Sequence, residues 1–200
     1  TVDNQGNQIR PMQVEIYDWQ NTYFRDDMGY EIEPYRFYFE KGKNTITLEG
    51  VNEPMIIRSF KVAAVETTAS YEEYRAQGGT AATGEGVNYV AKIEGEDSTR
   101  RSESSLYAKY DKASANTSPY DVMHTILNYV GGDTWKTAGQ WIEWEFTVPE
   151  DGYYNIMVKA RQNYARGNVS CRSLYIDGEI PFTEMQEVFF GFGNDWNSMT

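Results

Sequence analysis

A single cysteine, a single histidine and the absence of any long apolar run set the first limits on this chain. Cys171 has no internal partner, so an intrachain disulfide and a thiolate metal cage are both excluded, and His124 alone builds no histidine-based zinc site. No apolar stretch approaches the roughly eighteen residues of a membrane-spanning helix. No charged-then-apolar leader opens the sequence either, so membrane insertion by this segment is not expected. Basic residues are scarce: 18 Lys and Arg face 30 Asp and Glu, for a net charge of −12 at pH 7. Nucleic acid and anionic membrane are therefore not expected as partners, because phosphate binding depends on neutralisation by Lys and Arg. Gly84-Glu-Gly and Gly131-Gly132 lack the strand-to-helix setting of a phosphate loop.

What the chain does have is aromatic and turn-forming residues. Seventeen Gly and sixteen Tyr within 200 residues, 40% of them hydrophobic, favour an all-β domain with many turns over a helical bundle. Alternation is clearest in Trp141 to Val148, where Ile142, Trp144, Phe146 and Val148 share one face and Trp141, Glu143, Glu145 and Thr147 the other. Trp144 and Phe146 are expected in the core. Pro149-Glu-Asp-Gly152 reverses the chain into Tyr153 to Arg161, and Asp177-Gly178 makes a further hairpin turn. Four more strands are expected at Gln13 to Tyr17, Pro34 to Glu40, Asn44 to Glu49 and Met55 to Val65.

Two short helices are expected as well. Ser70 caps Tyr71-Glu-Glu-Tyr-Arg, and Ser118-Pro-Tyr-Asp followed by Val122, Met123, Ile126 and Leu127 and closed by Gly131-Gly132 carries the signals of a helix of about three turns. A weak echo links Met12-Gln13 and Asp18-Trp19 to Met185-Gln186 and Asp195-Trp196. It suggests two partial copies of one unit: closing strands in 1–66, a connector in 67–88 with a small, flexible run from Gln77, and opening strands from Tyr89 onward in 89–200. The two parts either complete one rearranged sandwich or leave unpaired strands that form a homodimer.

Catalytic signals are weak. Glu143 and Glu145 lie on one strand face about 7 Å apart, but with 30 acids in the chain some pair always fits the spacing of a glycosidase. His124 has no Ser or Cys elbow near it, and the chain is not expected to be an enzyme. Sugar recognition needs flat aromatic faces beside planar polar groups. Asn128 and Tyr129, Trp135, Trp141, Asn163 and Tyr164, and Trp196 supply such neighbours and are the candidate ligand-binding residues.

Gly139-Gln-Trp-Ile-Glu-Trp, Val148-Pro-Glu-Asp-Gly-Tyr-Tyr, Arg172-Ser-Leu-Tyr-Ile-Asp-Gly-Glu-Ile-Pro-Phe and Phe37-Tyr-Phe-Glu-Lys-Gly-Lys-Asn-Thr-Ile-Thr-Leu-Glu resemble the jelly-roll carbohydrate-binding modules of families 6 and 35. With Gly6-Asn-Gln-Ile-Arg-Pro11 and Glu53-Pro-Met55, the order of motifs is similar to the tandem jelly-roll domains of large extracellular solute-binding proteins of bacterial sugar ABC importers. The resemblance implies an antiparallel β-sandwich, an extracellular or cell-surface location in a larger protein, and an oligo- or polysaccharide ligand. It also implies a structural calcium held by Glu94 and Glu96, although Met55-Ile-Ile-Arg-Ser-Phe-Lys offers no acid on the closing strand. A spacer or protein-interaction domain without sugar affinity is the alternative of a different class.

Overall fold

Sequence alternation produces short paired ribbons here rather than long strands. The computed structural model describes residues 1–77 and 91–199. These residues carry one short helix, α1 (Tyr71–Gln77), and the strands β1 (Arg100–Arg101), β2 (Ala108–Lys109), β3 (Tyr129–Val130), β4 (Ile142–Glu143), β5 (Val158–Ala160), β6 (Ser170–Arg172), β7 (Val188–Phe190) and β8 (Asn197–Met199). These strands pair antiparallel and two by two, β1 with β4, β2 with β3, β5 with β8 and β6 with β7, and an isolated parallel bridge joins Gln162 to Phe192. The described chain is thus mostly non-helical, with small antiparallel sheets. Among the described residues no helix is long and apolar enough to cross a membrane. The Gly-rich run expected from residue 78 to 86, and the first residues of the strand expected from Tyr89, lie outside the described residues.

Several local expectations hold for the stated reason. Asp177 and Gly178 both adopt positive φ, 53° and 87°, and close a two-residue turn across which Ile176 and Glu179 exchange backbone hydrogen bonds of 2.8 and 3.0 Å. Ser70 and Glu73 cap α1 reciprocally: the Glu73 carboxylate accepts from the Ser70 N–H at 2.9 Å, and the Glu73 N–H donates to Ser70 Oγ at 3.3 Å. The helix is not a free connector. Tyr71 and Tyr74 pack against the Phe182 ring at 5.0 and 5.3 Å, and the Thr183 N–H donates to the Ala69 carbonyl at 2.8 Å.

The helix expected from Ser118 to Gly131 does not form. Its backbone is used across the chain instead: the Gln8 N–H donates to the Thr125 carbonyl, the Thr125 N–H to Asn7 Oδ1, the Leu127 N–H to Gln8 Oε1 and the Asn128 N–H to the Lys109 carbonyl. An extended run stitched to two neighbours outweighs the modest helix propensity of Val, His and Thr. Asp121 caps a turn rather than a helix, accepting from the Met123 and His124 N–H groups.

The buried core is small and lies around β2 and β3, where Leu106, Ala108 and Leu127 are all under 9% exposed. Ile142 and Trp144 are half-buried, Trp144 donating its indole N–H to the Gly95 carbonyl, so Trp144 falls short of the core place expected of it, and Phe146 is 59% exposed. Pairing to the Thr99–Arg101 segment ends near Glu145, whose N–H reaches Thr99 Oγ1, and no described strand covers the residues beyond. The four strands expected between Gln13 and Val65 run without sheet partners among the described residues. Their apolar side chains stand open, with Val14 at 73% and Phe37 at 60% exposure. The accessible surface reflects this: 16796 Å², against about 9600 Å² for a compact monomer of 23.0 kDa.

Candidate functional site

Asp111 follows β2 and anchors the polar centre of the molecule. Its Oδ2 accepts from Arg161 Nη1 at 2.7 Å and from the Trp196 indole N–H at 3.1 Å, while Oδ1 accepts from the Ala113 N–H. Burial alone would raise this carboxyl, but the Ala113 and Trp196 donors and the Arg161 charge together hold it below the ordinary carboxylate value. Asn128 fastens the same turn from the other side: its Oδ1 accepts from the Asp111 N–H and its amide donates to the Asp111 and Pro119 carbonyls. The result is a rigid polar floor under Trp196.

Aromatic rings gather over that floor. Trp196 lies 5.9 Å from Tyr129, ring centre to ring centre, and the Arg161 guanidinium sits over the Trp196 ring at 4.7 Å. The 3₁₀ turn Gly132–Thr134 brings Tyr164 in: a Cβ placed on Gly132 would lie 3.2 Å from the Tyr164 hydroxyl and 3.6 Å from the Tyr129 ring. Gly132 also has φ of +75°, so both the backbone and the ring packing call for glycine there. Tyr164 remains 60% exposed and presents an open ring. Its loop is shaped by buried Gln162, which accepts from the Tyr164 and Ala165 N–H groups and donates to the Ala165 and Asn168 carbonyls.

Trp135 closes the turn. Its indole N–H donates to the Gln140 carbonyl at 3.2 Å, its ring packs beside Gly131, and the Arg172 guanidinium stacks over it at 4.5 Å. Nearby, Lys109 reaches Asp133 at 2.5 Å and Thr134 Oγ1 at 3.2 Å. The Lys109 hydrogen bond and charge hold the Asp133 carboxyl low.

Of the candidate ligand residues, Tyr129 and Tyr164 lie beside Gly132, Trp135 beside Gly131, Trp196 against Tyr129, and Asn128 on the Asp111 turn that Trp196 also bonds. Trp141 and Asn163 share none of these contacts. Trp141 lies beside β4, where its N–H and carbonyl bond to Ser102, and it is 36% exposed. Asn163 stands exposed in the loop. Asp111, Arg161, Lys109 and Arg172 were not singled out from sequence. Their partners lie far along the chain, and the alternation that puts Leu106 and Ala108 on one face puts Lys109 on the other, so no local pattern marks its buried charge.

Glu94 precedes the 3₁₀ turn Gly95–Asp97 and Glu96 lies within it. Glu94 is paired with Lys92 at 2.5 Å. Glu96 Oε2 and Ser98 Oγ are buried side-chain oxygens with no hydrogen-bond partner, and desolvation pushes the Glu96 carboxyl up to about 7. An orphaned carboxylate oxygen suits a hard cation, which restores the ionised form. Among the described residues no group of three or more His, Cys, Asp or Glu surrounds it, so backbone and water oxygens have to complete a calcium shell of six to eight ligands.

No family model, curated protein or solved structure matches the chain.

Proposed function

We propose that the chain is a non-catalytic, jelly-roll-type β-sandwich module that binds saccharide, working within an extracellular bacterial protein of sugar uptake. The observation that carries this is the placing of Trp135 beside Gly131, of Tyr129 and Tyr164 beside Gly132 and of Trp196 against Tyr129, with Asn128 and Asp111 fixing the floor beneath Trp196. An exposed ring beside immobilised polar groups is what the apolar face and hydroxyls of a pyranose require. The motif resemblance supplies the sugar-uptake setting.

One observation favours the spacer alternative. Trp135 and Trp196 are already committed through their N–H groups and each carries a stacked guanidinium, so both serve folding. Tyr164 separates the two readings because it is exposed. Calorimetric titration with a panel of plant-type oligosaccharides should show binding that Tyr164→Ala weakens about tenfold without lowering Tm. No binding by the folded chain leaves the spacer reading.

Two further parts belong to the same proposal. Calcium at Glu94 and Glu96 should raise Tm when titrated into chelator-treated protein, and Glu96→Gln should abolish the rise. The open apolar faces between Met12 and Val65 are assigned to a second copy of the chain, so sedimentation equilibrium should report a dimer. A monomer at all concentrations overturns that part alone.

A further inference from the structure

A cleft of about 330 Å³ opens between α1 and the turn at Asp177, lined by Tyr74, Ile176, Asp177, Glu179, Ile180 and Pro181. Its two walls are fixed by bonds outside the cleft. On one side Ser70 and Glu73 cap α1, Tyr71 and Tyr74 pack on Phe182, the Tyr71 N–H donates to Glu184 Oε2 at 3.0 Å, and the Tyr153 hydroxyl donates to the Arg75 carbonyl at 3.3 Å. On the other, Ile176 and Glu179 close the turn and the Leu174 N–H donates to the Met185 carbonyl at 2.9 Å. None of the six lining residues belongs to the aromatic cluster or to the Gly95–Asp97 turn.

Four of the six, Tyr74, Ile176, Ile180 and Pro181, offer aromatic or apolar surface, and the other two are exposed acids on a single turn. No ion pair among the described residues engages either acid. The fold does not require a charge at Asp177, because Asn-Gly makes the same positive-φ turn as Asp-Gly. An exposed ion pair by itself contributes little. A ligand that joins a cation to an apolar body gains more, since the body leaves water against the apolar wall, the ammonium makes charge-assisted hydrogen bonds, and an aromatic ring beside it attracts positive charge. The chain's charge of −12 also concentrates cations around it. The volume lies at the lower end of the roughly 300 to 1,000 Å³ of small-molecule sites, which suits one small ligand. We propose that this cleft binds a small organic amine, its apolar body against Tyr74, Ile180 and Pro181 and its ammonium on Asp177 and Glu179. This second site is independent of the saccharide reading.

The test is an amide-detected NMR titration of the full chain with 2-phenylethylamine and with hexylamine, each set against the alcohol of the same skeleton, which keeps the apolar body and loses the charge. Saturable shifts are expected at the Tyr74 and Ile176 to Ile180 amides, with the amine at least about tenfold tighter than its alcohol and weakened by added salt. Asp177→Asn combined with Glu179→Gln removes both charges while keeping the turn, and should weaken amine binding at least about tenfold with Tm unchanged. Equal affinity of amine and alcohol overturns the proposal, and so does the absence of binding by both amines. Shifts spread over the acidic surface without saturation at the cleft, or amine binding that survives the double substitution, overturn it as well. The comparison of amine with alcohol needs no substitution, so it decides the matter even if the doubly substituted chain unfolds.

Discussion

Arg161 Nη1 meets Asp111 Oδ2 at 2.7 Å, and both side chains are almost fully withdrawn from water, at 15% and 8% exposure. The pair ties the end of β5 to the turn after β2, and Trp196 shares the same carboxylate. Removing one partner leaves the other as an uncompensated buried charge. Asp111→Ala should therefore lower stability by about 3 to 5 kcal/mol, measured by urea denaturation, whereas replacing both residues with apolar ones should recover much of the loss. Because the folded carboxyl is held below its ordinary value, its contribution is present above the unfolded value near 3.8 and fades as pH falls through that region. Asp111→Ala should lack that acid-side decline.

Glu96 should give the opposite slope. Its folded value of about 7 exceeds the unfolded value of 4.5, so the folded state holds the proton more tightly. Stability in chelator should fall as pH rises from about 4.5 to about 7 and level off above that. Glu96→Gln should flatten this segment and stabilise the protein at pH 8, by about 1 to 2 kcal/mol once solvent screening of a half-buried group is allowed for. Denaturation at pH 5 and pH 8 decides it; an unchanged slope in the variant counts against the assignment.

Gly6 has φ of +85°, and a Cβ there would lie 2.7 Å from His124 Cδ2. Gly6→Ala should cost about 1 to 2 kcal/mol, from backbone strain and from the displaced ring. The loss should appear in thermal unfolding together with faster amide exchange at Thr125 and Leu127, whose N–H groups donate to Asn7 and Gln8.

Phe182 clasps α1. Phe182→Ala removes both ring contacts to Tyr71 and Tyr74, at 5.0 and 5.3 Å. A helix of 7 residues has little stability of its own. Amide exchange across Tyr71–Gln77 should rise at least about tenfold, with a much smaller change at β2 and β3.

Features encoded by neighbouring residues were readable from sequence. Asp177-Gly178 makes its turn because both positions need positive φ, and Ser70 caps α1 because Glu73 lies three residues on. Ile142 and Trp144 are more buried than Trp141 and Glu143, as their spacing says. Features made by distant residues were not readable. The signals from Ser118 to Gly131 describe a helix in isolation, yet Gln8 and Asn7 take that backbone, and nothing in the local pattern announces them. Phe146 alternates correctly and still lies open, since burial depends on a neighbouring strand rather than on period. The aromatic cluster was half visible: ring-bearing loops could be named, but the carboxylate and the two guanidinium groups that position the indoles meet them only in three dimensions.

Gln162 spans the base of the 162–168 loop with four hydrogen bonds made by one amide. The contour of that rim is consequently fixed by its first residue and not by those at its crest. Asn163 and Arg166, both exposed, can be exchanged while the contour persists, so the crest is free to vary without rebuilding the scaffold.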